Sequence, residues 1–483
     1  MTGRLSGREG WAASIGLIYI AFVLSLMFFL PLEVAGSGTQ GPYWSSTSGG
    51  SCNRYLSSEE GARNLGGTEW EVDLGEDLDL ALAVGNDGTI FSIERGGHTS
   101  VHAIGPGGRL EWESDYGLDE LHGPSVSPNG SLILMGYSRD HDHSVLMMLD
   151  GSGLPVYVKE YPGRTFFPPV ADERGGILIG TYEEWDDRAD IIYIGPSGDP
   201  EWNVTFEKPR YHEPGSVLPA ISPDGRVYFT ASFMDDHPMC ISPNGTLLWG
   251  GEAYLVESGP PLINHDENVI FEVEDGLLCL DPDGETVWRT SLARSPSSNL
   301  ALSREGLLYF FSGSDRIVAV DSATGEIILD RSQHHEGDRI LLSRDGTVFG
   351  IGWDTVSSWE RDGSDRWHLF LWEDVHDIVM GKDGTLIVST ESGIMALKGD
   401  DNSTILAIAW VALVVLSIVS LLGIACLYRR WTVPPHPVLP SSVLGPSGAK
   451  RVRCTRCSNI FPVPDGIRYI TCPRCGLVSR EIW

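Results

Sequence analysis

Apolar and polar positions alternate along residues 217–249, VLPAISPDGRVYFTASFMDDHPMCISPNGTLLW, in four short runs separated by Pro-Asp-Gly, an acidic loop and Pro-Asn-Gly. Period-two alternation between glycine-bearing turns predicts four antiparallel strands, LPAIS, RVYFTAS, PMCIS and TLLW. One such meander cannot bury its own faces, so it becomes stable only by packing against copies of itself.

The copies are present. The first turn recurs at Asp87-Gly88, Asn129-Gly130, Gly175-Gly176, Asp224-Gly225, Glu267-Asn268, Glu305-Gly306, Asp345-Gly346 and Asp383-Gly384, each followed by an apolar run such as TIFSI or LLYFF. The fourth strand recurs as a glycine with a large side chain four residues on: Gly66 to Trp70, Gly108 to Trp112, Gly153 to Tyr157, Gly198 to Trp202, Gly245 to Trp249, Gly284 to Trp288, Gly325 to Leu329 and Gly363 to Trp367. The two series are out of phase. GGTEWEVDL precedes any complete unit, and the last unit, DIVMGKDGTLIVSTESGIMALKGDD, ends after three strands. If the early strand completes the last unit, the array closes into a ring with no exposed sheet edge. The pattern therefore predicts an all-β fold, an eight-bladed β-propeller of four-stranded antiparallel blades over 67–401. A seven-bladed ring is the alternative if the weak repeats at Gly175 or Glu267 are miscounted.

At AVDSATGEIIL, residues Ala319, Asp321, Thr324 and Gly325 resemble the tryptophan-docking motif of the PQQ-like (pyrroloquinoline quinone repeat) propellers, with Leu329 in the place of the tryptophan. That family includes outer-membrane assembly lipoproteins and quinoprotein dehydrogenases. The resemblance implies a fold and leaves the activity open.

Beyond the array, residues 11–32 and 402–428 are apolar runs long enough to cross a bilayer. Arg4 and Arg8 precede the first, and Arg429 and Arg430 follow the second. This distribution predicts a plasma-membrane protein with two transmembrane helices, an extracytoplasmic propeller and both termini, including an N-tail over 1–10, in the cytoplasm. A cleaved signal peptide ending near residue 36 is the alternative for the first run. Residues 33–66 are rich in Ser and Gly and read as a flexible tether, and 429–450 as a Pro-rich linker. The net charge of −32 over 483 residues sits in the propeller, whereas the tail is basic. That excess reads as a solvated acidic surface rather than a dedicated cation ligand.

The clearest chemistry is at 451–483. Cys454-Thr-Arg-Cys457 is followed by Cys472-Pro-Arg-Cys475-Gly476, two pairs spaced to place four thiolates around one structural zinc. So short a segment lacks a sufficient core, and metal binding would supply its folding energy. Redox dithiols are the alternative. The segment resembles zinc ribbons with a CxxCxxxF knuckle, here Cys454, Cys457 and Phe461, closed by CPxCG. Its arginines suit a cytoplasmic protein or an anionic lipid surface; nucleic acid is a minority reading.

Acidic loops recur in three consecutive blades near Asp140, Asp186 and Asp235 and could together hold a cation, although solvated loops are the simpler reading. The tryptophans read as blade-to-blade packing, and Cys240 and Cys279 as buried thiols. No Cys-Cys pair occurs, whereas the quinoprotein dehydrogenases carry one over their cofactor; nor is there a nucleophile beside a base. These features argue against bound PQQ and against an enzyme. They favour a membrane-anchored protein whose propeller binds protein or glycan and whose ribbon docks a partner. A PQQ-dependent dehydrogenase and an envelope assembly scaffold are the alternatives.

Overall fold

Glycine at seven of the first turns, and Glu267 at the eighth, lets the chain reverse in the left-handed region, at Gly88, Gly130, Gly175, Gly225, Glu267, Gly306, Gly346 and Gly384. Between these turns the apolar runs extend as strands. The computed structural model describes residues 50–399 apart from 63, 95–98, 184–187, 208–217, 232–236, 251–258 and 334–336; it also describes 416, 417, 420 and 450–480 except 465 and 468. Two units are distinguished, residues 1–401 and 402–483.

The first unit is an eight-bladed propeller of antiparallel sheets. Blades 1 to 8 cover residues 80–115, 120–162, 164–207, 220–250, 262–291, 301–332, 339–370 and 375–399, the last completed by Leu65–Asp73. The Gly175 and Glu267 turns each belong to a full blade, which removes the seven-bladed alternative. Blade 3 departs in one detail: its inner strand is split into Arg164–Thr165 and Val170–Ala171, both paired with Ile177–Tyr182. Middle strands are buried on both faces, as in Leu132–Ser138, and so read as continuous apolar runs. Outer strands such as Pro200–Glu207 expose alternate residues.

The ring closes where the spacing predicts. Leu65–Asp73 lies antiparallel to Gly393–Gly399, from Leu65 opposite Gly399 to Asp73 opposite Gly393. In six blades an outer aromatic residue then packs on the glycine of the next blade's last turn. The indole N–H groups of Trp70, Trp112, Trp202, Trp249 and Trp288 donate to the carbonyls of Pro106, Gly151, Pro243, Pro282 and Ser322 at 2.9–3.1 Å. The Tyr157 hydroxyl donates to Gly198 O at 2.7 Å. These glycines leave no room for a side chain: a Cβ on Gly325 would stand 2.7 Å from the Trp288 ring. Trp367 of blade 7 docks on the entering chain instead, donating to Ala62 O at 3.2 Å.

Of the Ser- and Gly-rich stretch 33–66, residues 33–49 lie outside the described part, and 50–62 form a strap along the inner edges of four blades. Carbonyls of Ser51, Cys52, Arg54 and Tyr55 accept from the N–H groups of Ile221, Ile263, Leu302 and Leu342, the inner strands of blades 4 to 7, at 2.7–3.2 Å. The Asn53 amide donates to Pro219 O and Pro261 O, and Arg54 to Ile263 O and Asn264 O. Main-chain donors that would face the central channel are thereby satisfied by the chain's own backbone.

The plasma-membrane placement with two spans is corrected. A span needs about 20 apolar residues in one helix, and among the described residues no helix is long and apolar enough to cross a membrane. The runs 11–32 and 402–428 lie outside the described residues except for Leu416, Ser417 and Ser420, which are helical.

Trp288 is 8% exposed and both packs on blade 6 and donates across the seam. Its replacement by Ala costs about 3–5 kcal/mol, measured as a shift in the denaturant midpoint of the full chain; a change below about 1 kcal/mol would show that the seam does not depend on this ring.

Candidate functional site

In the second unit, two hairpins each end in a cysteine knuckle. Lys450–Arg453 pairs with Ile460–Val463, and Tyr469–Thr471 with Val478–Arg480. In each knuckle the first cysteine's N–H donates five residues ahead, Cys454 to Asn459 O and Cys472 to Leu477 O, both at 2.9 Å. Its carbonyl accepts from the residue four ahead, Ser458 or Gly476, each of which has a positive φ. Gly476 adopts that backbone without cost, whereas Ser458 bears the strain.

This backbone brings Cys454, Cys457, Cys472 and Cys475 together, every Sγ within 4.8 Å of the others. Cys454 and Cys475 sulfurs stand 3.5 Å apart, as do those of Cys457 and Cys472. Zinc–sulfur bonds of about 2.3 Å imply edges of about 3.8 Å in a regular tetrahedron, so the four sulfurs fit a zinc-sized ion. Electrostatics agree with a cation site. Burial opposes ionisation of Cys472, but the Arg474 and Cys475 amides and the neighbouring thiols outweigh it and hold the group down to about 6. Backbone amides also lower Cys454, the Cys457 amide foremost. Cys457 has help from the Asn459 amide, yet burial and the other three thiols push it up to about 12. A cation among the four sulfurs removes that competition.

On the propeller, the cation reading of the acidic loops is tested only at blade 2, because Asp186 and Asp235 lie outside the described residues. There Asp142 accepts from the Tyr137 hydroxyl at 2.8 Å, and Asp119 from the Arg139 N–H at 2.7 Å, while Asp140 is exposed. Among the described residues the four ribbon cysteines form the one group of metal-ligating side chains close enough to share an ion. Cys240 and Cys279 lie buried in the third strands of blades 4 and 5, and burial pushes both thiols up to about 12.

The inner strands carry charged staples across two seams, and at the first of them Arg164 of blade 3 meets Glu120 of blade 2 at 2.7 Å. Arg339 of blade 7 meets the buried Asp377 of blade 8 at 2.5 Å, and Asp377 Oδ2 accepts from the Leu82 N–H of blade 1 at 3.0 Å. Three blades are thus joined through one carboxylate, whose charge raises the Arg339 pKa. Tyr55 of the strap is buried nearby, and burial pushes its hydroxyl up to about 12.

Composition treats all tryptophans alike, and two of them stand apart. Trp353 is 77% exposed and Trp372 is 90% exposed, with Phe370 at 50% beside them in sequence. Trp353 lies between the second and third strands of blade 7, and Trp372 on the crossing to blade 8. The two loops are hydrogen-bonded, Leu371 N–H to Asp354 O at 2.9 Å and Val375 N–H to Trp353 O at 2.7 Å. Trp372 has a φ of 62°, which a bulky residue seldom adopts. Neither tryptophan falls four residues after a turn glycine, as the docked ones do, but the fully buried Trp359 does not either, so register alone does not mark them.

No adjacent cysteine pair occurs in the sequence, and the strap runs along the inner edges of four blades.

Purified chain is expected to carry about one zinc per molecule by elemental analysis, lost on Cys454→Ser or Cys472→Ser while the propeller's denaturation is unchanged; metal content unaltered by these changes would sink the site. Asp377→Asn leaves Arg339 without its partner and costs about 3–5 kcal/mol, read by thermal or urea unfolding.

No curated protein matches the chain in sequence. A family model described as "Outer membrane protein assembly factor BamB" matches residues 273–409. Among solved structures, BamB from Moraxella catarrhalis superposes with a TM-score of 0.53 at 15% identity, over 68% of this chain and 98% of that one. A europium-containing methanol dehydrogenase gives 0.55 at 12% identity, over 73% and 90%. Quinohemoprotein alcohol dehydrogenase from Comamonas testosteroni gives 0.53 at 12%, over 75% and 81%. At such identities the likeness shows the fold alone, an eight-bladed propeller that BamB and these dehydrogenases share.

Proposed function

We propose that the chain is a non-enzymatic binding or scaffold protein, whose propeller engages a protein or glycan and whose zinc ribbon docks a second protein. The observation that carries this reading is the aromatic face of blades 7 and 8. Trp353, Trp372 and Phe370 are held in solvent on hydrogen-bonded loops, and Trp372 keeps a backbone conformation that a glycine would adopt more easily. Exposed aromatic rings held at a conformational cost are characteristic of recognition surfaces. Asp354 and Asp374 in the same loops offer acceptors for hydroxyl or amide groups. On the ribbon, Ile460, Tyr469 and Val478 are exposed among arginines, a mixture suited to a protein partner. The dehydrogenase alternative has fold likeness in its favour, and the strap and the missing cysteine pair against it.

Full-length chain and its Trp353→Ala/Trp372→Ala variant are to be compared on a panel of neutral oligosaccharides and peptides, alongside a dye-linked alcohol oxidation assay with added PQQ and calcium. Binding that the variant loses by about tenfold or more, without dye reduction, supports the reading. Binding indifferent to both tryptophans, or PQQ-dependent turnover, overturns it.

A further inference from the structure

Seven blades close their seam with an aromatic ring, and one does not. At the seam from blade 6 to blade 7 the ring position is Leu329, whose methyl, with carbons of Ile317 and Arg331, occupies the space above Gly363 at 3.0–3.3 Å from where a Cβ would stand. In the seams closed by Trp70, Trp112, Trp202 and Trp249 the indole N–H donates to the carbonyl two residues before the turn glycine. The equivalent carbonyl here is that of Arg361. It accepts instead from the Tyr309 hydroxyl at 3.1 Å. Tyr309 thus satisfies the polar group, and beside it, toward Gly346 rather than over Gly363, lies a half-open cavity of about 300 Å³. Leu307, Tyr309, Leu329 and Gly346 line it, with Arg361 and Glu305 paired at 3.1 Å on its wall.

We propose that this seam is a binding site for an indole-sized flat aromatic group. The adjoining ring position points to the occupant, since it holds an indole in six seams and a phenol in one. The cavity lies at the lower end of the range for small-molecule sites. Its wall is chiefly apolar, and the Arg361 guanidinium stands where it can interact with a ring face. An incoming indole N–H can share the Arg361 carbonyl, which has two lone pairs, or displace the Tyr309 hydroxyl from it. The site is distinct from the exposed aromatic face and does not depend on it.

The test uses full-length chain, indole and N-acetyltryptophanamide. Saturable binding of indole is expected, with chemical-shift changes at the Leu329 and Leu307 methyls, and Leu329→Trp is expected to weaken it by about tenfold or more by filling the seam from within. Equal binding of the amide identifies a tryptophan side chain of a partner as the source, whereas binding of indole alone identifies a free small molecule; either supports the site. No saturable binding up to the solubility limit, or shifts confined to other methyls, overturns it. The methyl shifts are measured on the unaltered chain, so the result stands even if the tryptophan variant fails to fold.

Discussion

Everything in the first unit depends on the pairing of Leu65–Asp73 with Gly393–Gly399. A four-stranded blade is stable only between neighbours, and an array of seven and three-quarter blades would end on an open strand edge. Completing the last blade with the first strand converts a row of nearest-neighbour contacts into a ring. Trp70, carried on that strand, then docks on blade 1, so the hydrogen-bonded closure also places the ring's first seam. The strap has a complementary role, since it occupies inner edges that the ring itself leaves unpaired.

The fold was legible because repetition multiplies weak signals. One Asp-Gly turn means little, but eight of them in step, with a second series displaced against the first, fix both the blade count and the closing strand. Even the eccentric turns at Gly175 and Glu267 proved to be ordinary members of the series. The strap was not legible. Residues 50–62 bind largely through main-chain carbonyls, and backbone pairing of a single extended segment leaves no apolar period to detect. Asn53 and Tyr55 are buried, although they stand in a stretch rich in serine and glycine.

The sites show a similar division. The cysteine cluster could be read directly, because two knuckles at fixed spacing bring four sulfurs together whatever the surrounding chain does. The exposed aromatic face could not be read from composition, which counts Trp353 and Trp372 with the docked tryptophans. The Gly-plus-four register excludes both from the docked set but excludes the fully buried Trp359 as well, so their exposure shows only in the structure. Leu329 was visible as an odd member of that register, but the cavity beside it depends on where Tyr309 and Gly346 stand. The two membrane spans expected from apolar runs have no counterpart among the described helices.

Closure of blade 8 by an N-terminal strand also dictates an order of events at the ribosome. The strap and the strand Leu65–Asp73 are synthesised first, yet their partners in blades 4 to 8 are made last. Until about residue 399 has emerged, the early strand has no edge to join, and each growing blade presents a temporary one. The molecule therefore trades a sealed final state for a long interval of vulnerability during synthesis, in which contacts of large sequence separation are still outstanding.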